Sequence, residues 1–520
     1  MVATIERTAA KRSRANGSQA LHAAADPGAL KDLYRKLAAL RATVSKEGDE
    51  ILDLWRDSLD GSNFAPGAEN LAHYLALRRH DLSKLQPALS TYGLSSLGRS
   101  EARVMVALDA LVATLGRLAG AAQEAYPDPA ALARGGALLR AEQERFFGRD
   151  PLGPRTRVMA TLPTEAGTDG GALIERLVAA GMNCARINCA HDGPEIWTAM
   201  IAQVRAAAKS QKRDCRILMD LAGPKCRIDA LRLSGQTRFN RGDRFVLVRK
   251  LHDAHESDST IATISFPEIV GALKVGSECW IDDGKIGARV VSRTAHRAVL
   301  EIFSARAKGE RLRLEKGVNF PQTKLDLPPL GPTDLEALDF VARHADVVGF
   351  SFVQHPRDIA ELERELQKRR RRGPPQPLIL KIETLAAVRN LPQLIVAAAA
   401  TRPVAVMIAR GDLAVELGFA RLSEIQEEML WLCDAAHVPV IWATQVLDNL
   451  VAEGRPSRAE ATDAAMSQRA ECVMLNKGPF LAEGVAFLKD ILRRMDRHQD
   501  KKFARLGRLK SWTRLEIDAG

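Results

Sequence analysis

The sequence predicts an α/β protein built on a (β/α)8 TIM barrel, with an all-β domain inserted after strand three and an all-α domain in front. Three observations carry this. Eight short apolar runs alternate with amphipathic helical patterns after Arg157, as parallel strands with crossover helices require. One block within that alternation, 229–319, holds strand-like runs separated by turns and no convincing helix. Setting the block aside leaves 157–228 and 320–497, roughly 250 residues, the usual size of such a barrel.

In chain order, residues 1–19 are basic and polar and read as a disordered tail rather than a transit peptide. From 20 to 150 the chain reads as a helical domain of unassigned role. Leu30, Leu33, Leu37, Leu40 and Val44 keep helical spacing, Leu71, Leu75, Leu82, Leu85 and Leu89 keep it again, and Ser100 stands where it could cap a third run, EARVMVALDALVATLGRL. Gly and Pro in FFGRDPLGPRT mark a boundary. The barrel domain then takes 151–228 and 320–497, with strands expected in RVMATL, NCARIN, CRILMDL, DVVGFSF, PLILKIE, PVAVMIA, VPVIWAT and ECVMLN. The insert, 229–319, has its strands in DRFVLVRK, ECWIDDGKIGARVV and RAVLEIF. Residues 498–520 form a basic tail, too short for another domain.

Composition narrows the function classes. With 46% apolar and 27% charged residues over 520 positions, the chain has the profile of a multidomain globular protein. No apolar run approaches the roughly 18 residues of a membrane span. The seven cysteines form no Cys-x-x-Cys pair and most lie in apolar strand-like runs, so they read as reduced core residues of a cytoplasmic protein. A net charge of +11 suits either a polyanion or phosphorylated metabolites. Its densest run, Lys368 to Arg372, ends a helical pattern just before Gly373, where cations are favourable, and so reads as a solvated helix end rather than a nucleic-acid site.

In barrels of this type the active site forms at the C-terminal ends of the strands. Strand two ends in Arg186, Asn188 and His191. Strand three ends at Asp220, followed across a Gly-Pro corner by Lys225 and Arg227. Strand five supplies Lys381 and Glu383, strand six Arg410, Gly411, Asp412 and Glu416, strand seven Thr444 and Gln445, and strand eight Asn476 and Lys477. Side chains alternate along a strand, so Lys381 and Glu383 face the same way. A lysine buried there needs an anionic partner or substrate. Glu383 and Asp412, from adjacent strands, offer a few hard oxygen ligands with no His or Cys cluster beside them, which suits a magnesium ion that keeps some of its water. Backbone amides at the start of ARGDLA offer a docking point for an anion. The sum is a site for a small, multiply anionic substrate with a divalent metal.

The chain at this point resembles the pyruvate kinases. The blocks GMNCARINCAHDGP, MDLAGPKCR, WIDDGKI, EKGVNFP, LDLPPLGPTDLEAL, LILKIETLAAV, VMIARGDLAVEL, VIWATQVLDNL and RPSRAEATDAA occur in the family's order and spacing over about 157–480. The resemblance implies phosphoryl transfer between phosphoenolpyruvate and ADP, giving pyruvate and ATP, with the insert as a mobile lid over the nucleotide. Position by position, it implies that Lys381 neutralises charge on the transferring phosphoryl group and the enolate oxygen, and that Glu383 and Asp412 hold Mg2+, or Mn2+ in its place. It further implies that Arg186 and Arg227 contact phosphate, that Asn188, His191 and Arg186 meet the nucleotide phosphates, and that Gly411, Asp412 and Thr444 bind the substrate carboxylate, with Thr444 near the face where the enolate is protonated. A homo-oligomer with no membrane association is expected.

The departures are specific. Many family members hold K+ with an Asn, a Ser, an Asp and a Thr carbonyl. Here Asn188 and Asp220 remain of that former potassium site, while Ala190 and Leu221 replace the other two. The family's Glu has become Lys225 and a neighbouring Lys has become Ala222, so a tethered ammonium is expected to stand in for the diffusible cation and K+ not to be required. NKGPF (Asn476–Phe480) replaces Ser-Gly-Glu-Thr, and Gln354 in SFVQHP falls where a basic pair is usual. The family's C-terminal regulatory domain is expected to be lacking, and with it the effector site and one subunit interface. Two readings compete. A magnesium-dependent aldolase or lyase of pyruvate-type compounds is opposed by the insert and the Arg186/Arg227 pair. A non-catalytic metabolite sensor is opposed by Lys381, Glu383, Asp412 and Thr444.

Overall fold

The computed structural model describes residues 26–121, 124–233, 235, 237–321, 323, 327–369, 373–501 and 503–504. The tail expected at 1–19, Arg370–Arg372 of the basic run and most of 498–520 lie outside the described residues. Contacts divide the chain into two compact units, Met1–Arg56 with Pro66–Ala137, and Asp57–Ala65 with Leu138–Gly520.

The first unit is helical. Its longest helix, Pro27–Asp53, is capped by Asp26, whose carboxylate accepts the Gly28 N–H, and it buries Leu30, Leu33, Leu37, Val44 and Ile51. Leu40 is half-buried. Gly48 lies so close to the His73 ring that a Cβ there would stand 2.3 Å from it, so the approach requires glycine. The second leucine run is not one helix. It is split into Ala65–Leu77 and Leu85–Thr91, with Leu82 in the connection, because the Asp81 carboxylate accepts the Ser83 N–H and offers the backbone a turn instead. Nor does Ser100 cap the third run. Its hydroxyl donates to the Leu97 carbonyl, and Asn70 Oδ1 accepts the Val104 N–H at the start of helix Val104–Leu118.

The second unit contains the barrel. Its first three strands are β1 (Arg157–Thr161), β2 (Cys184–Asn188) and β3 (Arg216–Asp220). The insert follows with β4 (Ile228–Leu233), β5 (Arg244–Val248), β6 (Thr260–Ile264), β7 (Glu278–Ile281), β8 (Ile286–Arg293), β9 (Arg297–Ser304) and β10 (Val318–Asn319). The barrel resumes with β11 (Val347–Phe350), β12 (Leu378–Ile382), β13 (Val404–Ala409), β14 (Val440–Ala443) and β15 (Cys472–Leu475). The eight barrel strands pair in parallel and close in the order β1-β15-β14-β13-β12-β11-β3-β2. They are buried on both faces, which is why they read as continuous apolar runs rather than alternating ones.

Phe146 and Phe147 pack among the inward side chains Met159, Leu218, Ile379, Met407 and Ile441. These phenylalanines end the helix Pro129–Phe147, ahead of the change in sequence texture at 150. They sit at the N-terminal end of the strands, where Arg157 at the start of β1 donates to the Gly148 carbonyl. The opposite end is thereby left as the open mouth.

The insert is a seven-stranded sheet in the order β10-β7-β8-β9-β5-β6-β4. Its pairs are antiparallel apart from β5 with β6, and its core holds Phe239, Phe245, Ile286 and Leu300. It also contains a short α-helix, Glu268–Ala272, and a 3-10 turn, Leu251–Asp253, both too short to display a period in the sequence. Beyond the last barrel helix, Gln499–Asp500 pairs with Phe503–Ala504. Between them Lys501 places its ammonium 2.9 Å from both Asp434 and Glu471, so the start of the supposed tail is tied to the barrel. All seven cysteines are free and buried. No helix among the described residues is long and apolar enough to cross a membrane.

Candidate active site

The ends of β2, β3, β11, β12, β13, β14 and β15, with the loops that follow them, line one cavity of about 160 Å³ at the barrel mouth. Of the residues expected there, Arg186, Asn188, Lys225, Arg227, Lys381, Glu383, Asp412 and Thr444 all line it, as do Ala190, Leu221 and Asn476. His191 and Gly411 do not. His191 is exposed, with its carbonyl accepting the Trp197 indole N–H. Partial desolvation by its surroundings, with Lys477 and Arg227 nearby, holds its imidazole below the ordinary pKa. Gly411 contributes through its backbone, donating to Thr444 Oγ1 at 2.7 Å.

Asp220, also expected there, does not line the cavity: it is 0% exposed, behind the lining residues Arg186 and Lys381. Arg186 donates to its Oδ2 from Nε at 2.9 Å and from Nη2 at 2.5 Å, and Lys381 stands 3.2 Å from the same oxygen. Burial alone would raise this carboxyl, but Lys381 and Arg186 outweigh it and hold its pKa below the usual value. Room for the carboxylate comes from Gly349 on the neighbouring strand β11, where a Cβ would lie 2.5 Å from Asp220 Oδ1.

Lys381 is 8% exposed and its ammonium is fully engaged, donating to Ser351 Oγ at 2.6 Å and pairing with Asp220 and, at 3.3 Å, with Glu383. Burial opposes its charge, yet Asp220 and Glu383 prevail and its pKa lies above that of an ordinary lysine. Glu383 behaves differently. Burial raises its pKa, Lys381 opposes the rise and Asp412 adds to it, while the Phe352 N–H donates to Oε2 at 2.6 Å.

Lys225 does not reach Asp220 or Asn188. Its Nζ donates to both oxygens of Asp412, at 2.8 and 3.1 Å. Arg227 lies at the joint between barrel and insert. Its backbone N–H donates to Ser265 and its guanidinium to the Glu315 carbonyl.

Thr444 and Gln445, directly after β14, have φ of 62° and 57°, a costly conformation for residues with a Cβ. Arg410 holds it in place: its Nε donates to the Ala443 carbonyl and Nη2 to the Thr444 carbonyl, while Asp463 pairs with the guanidinium and Trp442 lies 4.6 Å beneath it. The threonine hydroxyl is thereby aimed at Gly411 and the cavity.

Could this set hold a divalent ion? Glu383 and Asp412 present carboxylates to the same space, and Asp412 raises the pKa of Glu383, the mark of two negative charges that a shared cation would relieve. Among the described residues no three His, Cys, Asp or Glu side chains are grouped to bind a metal unaided. The donor set therefore fits an ion such as Mg2+, which takes one or two carboxylates and completes its shell with water and substrate oxygens.

The model of the pyruvate kinase barrel domain matches residues 153–484. The chain belongs to the pyruvate kinase family. Among its relatives, pyruvate kinase 2 of Synechocystis is 31% identical over 66% of this chain and 57% of its own length. The pyruvate kinase of Thermococcus litoralis is 30% identical over 69% of this chain and 73% of its own, and that of Corynebacterium glutamicum 32% identical over 62% and 65%. The chain thus spans a little under three fifths of the Synechocystis pyruvate kinase. The matched segment includes every cavity residue named above and the whole insert.

Sequence reasoning overlooked several parts of this pyruvate kinase barrel mouth. Ser351, Gly349, Asp463 and the Phe352 amide carry no charge pattern or motif of their own, or lie far along the chain from what they touch. The one available signal was the glycine in DVVGFSF, out of place in a buried strand unless another group needs its space.

Proposed function

We propose that this chain catalyses phosphoryl transfer between phosphoenolpyruvate and ADP, giving pyruvate and ATP, with Mg2+ and without K+. The observation that carries the reading is the convergence of Lys381, Glu383, Asp412, Thr444 and Arg186 on one cavity at the mouth of a pyruvate kinase barrel. Transfer of this kind asks little covalent work of a protein and depends on positioning and on fixed positive charge where negative charge develops.

Glu383 and Asp412 would hold the divalent ion, which supplies charge neutralisation to substrate oxygens. Lys381, locked by Ser351, Asp220 and Glu383, presents an ammonium that needs no reorientation when charge builds on the phosphoryl group and the enolate oxygen. Arg186 is oriented by Asp220 and Thr161, with one edge toward the cavity as a phosphate contact. Arg227, Asn188 and His191 are assigned to the phosphates on the nucleotide side, and Gly411 with Thr444 to the substrate carboxylate. In the direction of ATP synthesis the phosphorus–oxygen bond to the enolate breaks, the ADP oxygen takes the phosphoryl group, and the enolate carbon takes a proton on the face near Thr444.

Ala190 lines the cavity beside Asn188 where the family's serine would offer an oxygen to K+, the Leu221 carbonyl accepts the Ser351 hydroxyl, and Lys225 brings an ammonium to the same cavity. This supports a fixed charge in place of potassium. Purified chain given phosphoenolpyruvate, ADP and Mg2+ in sodium buffer is expected to form pyruvate and ATP in equal amounts. Absence of ADP-dependent pyruvate overturns the activity, whereas activity that appears only on adding K+ overturns the role of Lys225.

A further inference from the structure

We propose that Asp283, on the turn between β7 and β8 of the insert, is a positioning residue that takes over Lys225 when a divalent cation claims Asp412. The inference rests on the reading that Glu383 and Asp412 hold the metal.

Lys225 donates to both oxygens of Asp412. A hard cation binding one of those oxygens at about 2.0–2.1 Å would face the ammonium at close range, so the ammonium must give way. Its choices are few. Asp220 is committed to Arg186 and Lys381, and Glu383 to Lys381 and the Phe352 N–H. Asp282 is committed to Lys285 at 2.9 Å and Lys316 at 3.1 Å. Asp283 already lies 3.8 Å from Lys225 Nζ. A shift of about 1 Å makes that an ordinary ion pair and leaves the ammonium beside the cavity.

The turn is built to present this acid. Asp282, Asp283 and Gly284 have φ of 54°, 53° and 86°, three left-handed residues in succession. The turn lies against the helix Arg410–Leu417 that carries Asp412, with a Cβ at Gly284 falling 3.5 Å from Val415. The stem of Lys225 passes beneath Gly317 of the insert's return segment, where a Cβ would come 2.7 Å from its Cε. The lysine is therefore confined between barrel and insert, free to swing at its tip. With Asp283 57% exposed the pair is weak as it stands.

The test is binding of Mn2+ to the full chain without substrates, read as loss of the free-ion electron paramagnetic resonance signal. Asp283→Asn is expected to weaken Mn2+ about 3- to 10-fold, Lys225→Met to tighten it, and Asp283→Asn to change affinity less than about 2-fold when Lys225→Met is already present. Equal weakening with and without Lys225, or none in either, overturns the proposal, because Asp283 would then act by bare charge or not at all. Binding abolished by Asp412→Asn yet indifferent to Asp283 defeats this inference alone. No Mn2+ binding by the parent chain defeats the metal assignment and the inference together.

Discussion

Asp220→Asn should be among the most damaging single substitutions in the barrel. The side chain keeps nearly the same shape, so packing is preserved and what changes is charge. Asp220 is fully buried and partners both Arg186 and Lys381. Removing one member of a buried ionic set costs about 3–5 kcal/mol, because the charges left behind remain desolvated. For a unit of this size that corresponds to a fall in Tm of roughly 4–6 °C.

The pH dependence adds a sign. The carboxyl's folded pKa is depressed below its ordinary 3.8, so its stabilisation is fully present above that value and is lost as pH falls through the folded pKa. Scanning calorimetry of parent and variant should therefore show a gap that is constant from neutral pH down to about 4 and closes only below. A Tm within about 2 °C of the parent at pH 7 would refute the reasoning, since it would mean that the two cations are solvated by other means.

Three further outcomes follow from the same geometry. Lys381→Met should lower pyruvate formation by 10³-fold or more in a coupled assay, with a Tm loss smaller than that of Asp220→Asn because Arg186 and the Phe352 N–H still serve the two acids. Gly349→Ala, which sets a methyl 2.5 Å from Asp220 Oδ1, should cost about 1–3 kcal/mol by thermal unfolding and depress turnover as Arg186 and Lys381 shift. Glu416, pushed up to about 7 mainly by burial with Asp412 adding to it, loses stability for the fold as pH rises from its unfolded value near 4.5 through 7; Glu416→Gln should therefore be stabilising by about 1–3 kcal/mol at pH 8 and neutral near pH 4.5, as unfolding scans at the two pH values would show.

Much of the architecture was legible because it depends on local patterns. A strand buried on both faces must be apolar throughout, a crossover helix must be amphipathic, and eight repeats of that pair leave a closed parallel barrel as the arrangement without open edges. Polar residues at or just beyond the C-terminal ends of such strands have one place to go, so Arg186, Lys381, Glu383, Asp412 and Thr444 could be assembled from the sequence into one mouth. Where local rules met a competitor they failed: Asp81 turned the chain inside a leucine run, and the Ser100 hydroxyl bonded backwards instead of capping.

What tertiary structure alone decided is which charge meets which. Lys225 lies five residues from Asp220 in sequence but bonds Asp412, because the Gly-Pro corner carries it away from β3 toward the neighbouring insert. Asp220 takes Arg186 and Lys381 because Gly349 on the next strand leaves it room. Phe146 and Phe147 enter the barrel although they precede every sign of it in the sequence. Pairing between ions and filling of a core are settled by distances across strands, and no periodicity along the chain encodes those distances.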